Sequence, residues 1–295
     1  MELRQIEYFL AVVEHDGIGG AAAALGVAQP TVSQALRGLE RELGVQLFHR
    51  IGRGMVLSAA GRALLGPGRQ LLRDVTSVRD HLAASSGELS GTLEISAFPP
   101  MAVGRLVELI AQYRRLYPGV TVRLSELRGE HNASATIRDG NSEFVVAHLP
   151  LDDSDLAVEV LGEQEYWLAY PAGTLLPEGP VQLTELPHVP MVFVPRGGSV
   201  ADEIEAGIRE AGLSLDLAVV CEHREARLPL VAAGLGGTLI ERSMAESAGT
   251  SIVARPVVPR FVRPFGVGYR PDRLSPAGQA FVNLIRGSTN DGATD

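Results

Sequence analysis

Apolar residues recur at three- and four-residue intervals near the start of the chain, which predicts an amphipathic helix. Its apolar positions are Leu3, Ile6, Phe9, Leu10 and Val13. Glycines at positions 17, 19 and 20 are predicted to end this helix. A short second helix is expected from Ala21 to Leu25, closed by Gly26, and a third begins near Pro30 and runs to about Leu43. Proline suits a first helical turn because its missing N–H would have no partner there.

The second and third predicted helices have the spacing of a helix-turn-helix. Small Ala22 allows a close crossing, Gly26 can adopt the left-handed conformation of the turn, and Val32 anchors the third helix. The inward positions of that helix are Val32, Leu36, Leu39 and Leu43, and its outward polar positions are Gln29, Thr31, Ser33, Gln34 and Arg37. Glutamine can pair with adenine, and arginine with guanine. An ordinary helical hairpin with a solvated face would have the same pattern.

A two-stranded wing is predicted directly after the third helix. The segment GVQLFHRIGRGMVLSAAG contains a strand, a turn at Gly52-Arg53-Gly54, and a second strand with Met55 and Leu57 inward. A wing beside a recognition helix lies along the DNA phosphates, where Arg50 and Arg53 would contact the backbone or the minor groove.

Together these segments resemble the N-terminal domain of the LysR-type transcriptional regulators. The resemblance rests on LRQIEYFLAVVEHDG, AAAALGVAQPTVSQALRGLERELGVQLFHR and LSAAGRALL, and it covers residues 2–65 nearly continuously. It implies that the recognition helix begins with Gln29, Pro30, Thr31, Ser33 and Gln34, and that the wing contains Arg50 and Arg53. Gly19-Gly20 stands where the family usually has a capping Ser or Thr and a basic residue, and Gln34 stands where many relatives have arginine. Both departures predict weaker nonspecific DNA binding with a shallower salt dependence.

A seam of apolar residues at heptad spacing lies between Ser58 and about Ser86. Its members are Leu64, Leu71, Val75, Val78 and Leu82. A helix of roughly 28 residues would be about 42 Å long, so we expect it to need a partner helix, the alternative being the chain's own second domain. Gly66-Pro67-Gly68 is expected to bend or loosen it. In the LysR family this segment is the dimerisation helix, and two dimers commonly join into a tetramer, which suits the reading of a two-fold-related DNA site.

Strand-like and helix-like segments alternate from Thr92 onward, which predicts parallel βαβ units. GTLEIS, RRLYPGVTVRL, LVAAGLGGTLI and LSPAGQAFVNLI resemble segments of the LysR effector domain, whose architecture is that of periplasmic binding proteins. The predicted fold class is therefore α/β multidomain. We expect a winged helix-turn-helix over 1–58, a linker helix over 59–88 and a two-lobed α/β effector domain over 89–295. Its first lobe would comprise roughly 89–163 plus 264–295, and its second 164–263.

Ligands of such folds lie at the carboxyl ends of strands, in the cleft between the lobes. This rule selects as candidate effector-binding residues Phe98, Pro99, Pro100, Met101, Arg128, Glu130, His148, Arg196, Gly197, Ser199 and His223. In the alternative interpretation Arg128 and Arg196 are surface charges and His148 is an ordinary strand residue.

The expected class of effector depends on the start of the first effector helix. The LysR family commonly has a Ser or Thr there, whereas here Pro99-Pro100 removes two N–H donors and Glu130 occupies a frequent second hydroxyl position. We therefore expect an effector other than a simple carboxylate held at a helix terminus. It would be neutral, cationic or aromatic, or an anion paired with Arg196 or Arg128.

Charge is distributed unevenly along the chain. The 295 residues have a net charge of −9, and all 26 basic residues are arginine. Residues 1–87 have nine arginines against eight acidic residues, and the remainder has seventeen against twenty-seven. Arginine binds phosphate and guanine bidentately, although genome composition is an alternative explanation for the absence of lysine.

The remaining features argue against membrane, secreted and enzymatic proteins. No run approaches the roughly 18 apolar residues of a membrane span, the start MELRQIEYFLAVVEHDG lacks the basic flank of a signal peptide, and a single Cys221 excludes a disulfide framework. The glycines at 234–237 follow a helix, the reverse of a dinucleotide-binding loop. Cys221, Glu222 and His223 are adjacent at a strand end, where neighbouring side chains point apart, so we expect no thiolate–imidazole pair. We expect no catalytic residue, metal or cofactor.

The sequence therefore predicts a cytoplasmic, sequence-specific transcriptional regulator whose activity is modulated by a small-molecule effector bound between two α/β lobes. Its expected partners are double-stranded promoter DNA, RNA polymerase, the effector and further copies of the same chain, as a homodimer or a dimer of dimers. The alternatives are a solute-binding receptor of a transport system, which leaves residues 1–58 unexplained, and a small-molecule enzyme.

Overall fold

The computed structural model describes residues 1–51, 54–84, 89–187, 189–193, 206, 208–210, 212 and 216–290. The chain divides into two compact units, of which the first comprises Met1–Glu159 with Val267–Asp295 and the second comprises Val160–Gly266. None of the helices in the described part of the chain combines the length and apolar character of a membrane span.

The N-terminal part of the first unit is a winged helix-turn-helix. Its elements are α1 (Leu3–Glu14), α2 (Ile18–Leu25), α3 (Gln29–Leu43), β1 (Phe48–Ile51) and β2 (Gly54–Leu57). The two strands are antiparallel, with Phe48 opposite Leu57. Ala22 and Val32 are buried, and Gly26 ends α2 with a φ of 65°. This confirms the predicted close crossing, left-handed turn and apolar anchor.

Two details of this domain differ from the prediction. Helix α2 begins at Ile18, so Gly20 lies inside it instead of ending α1. A Cβ atom on Gly20 would lie 2.4 Å from the carbonyl oxygen of His15, so the glycine allows a close approach of the two backbones. Leu43 is 39% exposed and does not face inward, because α3 ends directly after it at Gly44.

The linker helix α4 (Ala59–Ala84) continues through Pro67. Leu64 and Leu71 pack, partly buried, against the core of the N-terminal domain, whereas Val78 is 60% exposed. The expectation that the whole seam needs a partner helix is therefore wrong for its first half, because the chain's own winged domain covers those two leucines. The second half of the seam offers its apolar surface to solvent at Val78.

The remainder of the first unit is a parallel sheet with helices. Its elements are β3 (Ser90–Ala97), α5 (Arg105–Leu116), β4 (Gly119–Glu126), α6 (Ala133–Arg138), β5 (Phe144–His148) and α9 (Pro276–Asn290). The strands follow the order β5-β3-β4, and Ala97 lies opposite both Glu126 and Val146. The rings of Tyr113 and Phe144 each lie 5.4 Å from that of Phe281 in the core.

The second unit is a smaller α/β lobe. Its elements are β6 (Ala157–Pro171), β7 (Val181–Gln182), β8 (Met191–Phe193), β9 (Leu217–Val220), α7 (Arg224–Ala232), β10 (Thr238–Glu241), α8 (Arg242–Ser247) and β11 (Ile252–Tyr269), of which β6 and β11 also run into the first unit. Strand β8 pairs in parallel with β9, and β10 pairs antiparallel with β6. The helix predicted between residues 199 and 213 lies mostly outside the described residues. The α/β fold class is thus confirmed.

Candidate DNA interface and effector site

Helix α3 presents a row of exposed polar residues. Gln29, Thr31, Gln34 and Arg37 are exposed and Ser33 is half-buried. The Arg37 guanidinium donates to Ser33, with 3.2 Å from Nε to the carbonyl oxygen and 3.0 Å from Nη2 to Oγ. Both hydrogen bonds lie within α3, and the Arg37 side chain is outside the buried core of the domain.

The start of α3 explains one departure from the family pattern. Gln29 and the exposed Pro30 occupy its first turn. A Cβ atom on Gly19 of α2 would lie 3.1 Å from the Gln29 Nε2 atom. A side chain at position 19 would therefore press on Gln29, and the glycine leaves room for this glutamine beside α2.

The wing is present as the β1–β2 hairpin. Arg50 lies on β1 opposite Met55, but its side chain and all of Arg53 lie outside the described part of the chain. The neighbouring His49 is exposed opposite Val56. The DNA contacts predicted for the two arginines stay predictions.

The carboxyl ends of β3, β4 and β5 meet at one edge of the sheet in the first unit. The Phe98 N–H donates to the Val146 carbonyl at 2.8 Å, and the Leu127 N–H donates to the Ala97 carbonyl at 2.8 Å. The ring of Phe98 lies edge-on to the imidazole of buried His148, with 6.0 Å between ring centroids. Arg128, directly after β4, is exposed. Of the predicted effector residues, the structure thus brings Phe98 and His148 together.

The two prolines do not lie where the sequence argument placed them. Pro99–Met101 forms a separate 3₁₀ turn, in which the Met101 N–H donates to the Phe98 carbonyl at 2.8 Å. Helix α5 begins later, at Arg105 after Gly104. The prolines therefore remove no N–H donor from the first turn of α5, and the premise about this helix terminus is wrong. Pro100 and Met101 are buried.

The other predicted effector residues include Glu130, Arg196, Gly197, Ser199 and His223. Glu130 begins a short 3₁₀ turn, but its side chain lies outside the described residues, as do Arg196, Gly197 and Ser199. His223 is exposed at the N-cap of α7 in the second unit.

A buried ion pair in the second unit was not predicted. Glu241, at the end of β10, lies 2.6 Å from Arg224 Nη1 and 3.8 Å from Arg227 Nη2. Arg227 also donates to the Leu239 carbonyl at 3.2 Å. Burial lowers the pKa of Arg227, and the charge of Glu241 opposes that shift. The ion pair joins α7 to β10. The sequence feature that could have predicted it is Glu241, the acidic residue at the end of the apolar strand TLIE.

Cys221 contacts the main chain of His223. Cys221 Sγ lies 3.3 Å from the main-chain carbonyl oxygen of His223, so the contact does not involve the imidazole ring. Across the described residues, no three His, Cys, Asp or Glu side chains are grouped as metal ligands.

The two parts of the chain match known protein families. Residues 3–62 match the bacterial regulatory helix-turn-helix proteins of the lysR family, and residues 86–290 match the LysR substrate binding domain. The regulator ClcR of Pseudomonas putida is 30% identical over 97% of this chain and 98% of its own length. The regulator TdfR of Cupriavidus pinatubonensis is 32% identical over 97% and 98%.

Solved structures are similar to this chain over nearly its whole length. CbnR, a LysR family transcriptional regulator, has a TM-score of 0.73 at 26% identity over 98% of this chain and 99% of its own. Full-length CbnR in complex with its target DNA has a TM-score of 0.72 at 27% identity, covering 98% and 100%. The chain therefore belongs to the LysR family of DNA-binding transcriptional regulators and combines their helix-turn-helix domain with an effector-binding domain.

Proposed function

We propose that this regulator recognises a promoter sequence through α3 and the β1–β2 wing. The observation that carries the proposal is the exposed polar row Gln29, Thr31, Gln34 and Arg37 on a helix whose opposite face is buried. At this spacing, glutamine side chains can both donate to and accept from base edges in the major groove, and arginine side chains can donate to them. Arg50 and Arg53 of the wing would neutralise phosphates beside it.

The linker helix is proposed to pair two copies of the chain. Val78, exposed on α4, lies beyond the stretch that the winged domain covers. Pairing at this part of the seam would bury it and present two recognition helices to sites about one DNA turn, or roughly 34 Å, apart. A dimer, or a dimer of dimers, would then contact promoter DNA and RNA polymerase.

The effector is proposed to bind at the edge formed by the ends of β3, β4 and β5. Half-buried Phe98 offers aromatic surface there with buried His148 behind it, and exposed Arg128 adds a positive charge at the same edge. These groups suit a flat aromatic compound with a polar substituent better than a small carboxylate. His223, Arg196, Gly197 and Ser199 are proposed as further contacts from the second unit, and Glu130 from the first.

We assign the chain a regulatory role in the cytoplasm, without a catalytic step, metal or cofactor. The relatives that it matches over nearly their whole length are named as transcriptional regulators, which supports this assignment. A solute-binding receptor would use the α/β lobes but would leave the helix-turn-helix without a role.

A gel-shift titration tests the DNA-binding part of the proposal. The full chain is titrated against the DNA upstream of its own gene and against a fragment of equal length and base composition with shuffled sequence. We expect the upstream fragment to bind at least about 10³-fold more tightly at physiological salt, as specific sites do. Equal affinity for the two fragments would refute sequence-specific recognition at this promoter.

A further inference from the structure

Two arginines of the linker helix α4 donate hydrogen bonds to the C-terminal end of α6, a short helix in the effector domain. Arg69 Nη1 donates to the carbonyl oxygen of Asp139 at 3.1 Å, and Arg73 Nη1 donates to that of Gly140 at 2.6 Å. Asp139 is the C-cap residue of α6. Carbonyl groups at a helix C-terminus lack helical partners and favour cations, so both guanidinium groups lie where the end of α6 attracts them.

The same end of α6 lies in backbone contact with α4. A Cβ atom on Gly66 would be 2.3 Å from the carbonyl oxygen of Arg138, so only a glycine fits at this crossing. Gly66, Arg69 and Arg73 are one helical turn apart and therefore share one face of α4. This face is the contact between the linker helix and α6.

The other end of α6 begins at the candidate effector loop. Asn132 is its N-cap residue, and the Asn132 N–H donates to the Gly129 carbonyl at 3.1 Å while its side-chain amide donates to the Arg128 carbonyl. Buried Ile137 packs in the cluster that contains Leu127. Helix α6 has six residues, so about 9 Å separates the effector loop from the linker helix.

The linker helix contacts the DNA-binding domain over the same stretch. Leu64 and Leu71 pack against the core that contains Ile6 and Leu10 of α1. A Cβ atom on Gly68 would lie 3.3 Å from Ile6 Cγ2. Residues 64–73 of α4 therefore touch the DNA-binding core on one face and α6 on another.

The contact between α4 and α6 also contains a buried charge. Arg73 is half-buried, its Nε atom has no hydrogen-bond partner among the described residues, and its Nη2 atom donates to Gln70 at 2.7 Å. Burial lowers the pKa of Arg73, and the carboxylates of Glu94 and Glu143 oppose this shift. Moving Arg73 away from α6 would therefore change both its carbonyl contact and its distance from two acidic groups.

We propose that Arg73, assisted by Arg69, is a positioning residue that couples the effector loop at 128–132 to the DNA-binding domain through α6. The proposal rests on the proposed function, in which that loop contacts the effector. Coupling free energy is reciprocal, so DNA bound at α3 must change the affinity of this loop for the effector, and we expect a change in the local stability of the loop to accompany it. This reciprocity allows a test with promoter DNA alone.

The test is hydrogen exchange on the full chain with and without the upstream promoter fragment, for the wild type, Arg73→Met and Arg105→Met. Arg105 is the matched control, because it also donates to a carbonyl oxygen in the first unit, that of Ser288 at 3.3 Å, but this hydrogen bond joins α5 to the last helix and does not involve α4 or α6. In the wild type and Arg105→Met we expect bound DNA to change the amide exchange rates of residues 128–140 by about fivefold or more. This factor is the lower end of the range of coupling between two binding sites. In Arg73→Met we expect DNA to bind while the change at 128–132 is lost.

Each other outcome has a distinct meaning. Promoter binding without any change at 128–140 in the wild type, or a change that Arg73→Met retains, overturns the coupling and leaves DNA binding intact. Failure of the wild type to bind the fragment refutes the proposed function, and the coupling with it. Arg69→Met serves as a second variant if Arg73→Met does not fold, and its partial loss of the change at 128–132 is then the expected result.

Discussion

The main-chain N–H and the hydroxyl of Ser275 both donate hydrogen bonds to the carboxyl group of Glu143, the hydroxyl at 3.0 Å. The same hydroxyl accepts from the Gly278 N–H at 2.9 Å in the first turn of α9. Glu143 thereby joins the start of β5 to the last helix. Its burial raises its pKa to about 7, although the Ser275 hydrogen bonds and the charge of Arg73 oppose the shift.

The first prediction concerns the pH dependence of stability. The pKa of Glu143 rises from an ordinary 4.5 to about 7 on folding, so the folded chain keeps a proton that the unfolded chain has lost. The contribution of Glu143 to the free energy of unfolding should therefore fall between these pH values and stay level above them. Glu143→Gln should remove this loss and be more stable than the wild type at pH 8 by on the order of 3 kcal/mol.

Thermal unfolding followed by circular dichroism at pH 5 and pH 8 measures this difference. Glu126→Gln, which neutralises an exposed carboxylate on β4, is the control and should show no comparable gain at pH 8. Equal pH profiles for the wild type and Glu143→Gln would contradict the prediction.

The second prediction concerns DNA affinity. Arg37→Ala should fold normally, because the Arg37 side chain is exposed and its hydrogen bonds to Ser33 stay within α3. It should weaken binding to the promoter fragment by about 1–3 kcal/mol if it reads a base. Gel shifts at several salt concentrations measure the effect. The control is Arg115→Ala on the exposed face of α5, and an Arg37→Ala affinity equal to that of the control would argue against the assignment of α3.

The third prediction concerns assembly. Val78→Asp should yield monomers, because it places a charge on the exposed part of the seam without touching the core. Leu71→Asp is a poorer test, since Leu71 packs against the winged domain and its loss would unfold that domain. Sedimentation velocity measures the state. A dimer that persists in Val78→Asp, at the concentration where the wild type is dimeric, would refute pairing through this face.

The fourth prediction concerns the buried ion pair of the second unit. Glu241→Gln should lower the free energy of unfolding by about 3 kcal/mol, because it leaves two arginines without their carboxylate. The single tryptophan, Trp167, lies opposite Ile240 and reports unfolding of this lobe by fluorescence in urea. Glu246→Gln removes an exposed carboxylate that pairs with Arg242 and should cost less than about 1 kcal/mol. Equal losses in the two variants would show that burial does not decide the cost.

The fifth prediction concerns the effector. Aromatic compounds with a polar substituent should raise the thermal midpoint more than small carboxylates or aliphatic amines do. Phe98→Ala should reduce that rise, because it removes the ring beside His148. Leu175→Ala, at a residue that is 94% exposed, is the control. The largest shift with simple carboxylates, unchanged in Phe98→Ala, would exclude this edge as the aromatic site.

Local spacing determined most of the N-terminal domain in advance. Ala22, Gly26 and Val32 act within a few residues of one another, so their pattern could be interpreted without knowledge of distant parts of the chain. The alternation of strands and helices after Thr92 likewise predicted parallel units, since each βαβ crossover is a local feature of the chain. The exposed polar row of α3 followed from the same helical periodicity.

Tertiary structure alone decided the contacts between distant segments. Leu71 fits a heptad seam equally well whether its partner is another helix or the winged domain, and only the fold shows the second arrangement. Arg73 lies 67 residues from Gly140, and Glu143 lies 132 residues from Ser275; no periodicity links such pairs. Charge, burial and partner choice depend on which segments the fold brings together, so a pattern along the chain determines secondary structure and leaves these contacts undetermined.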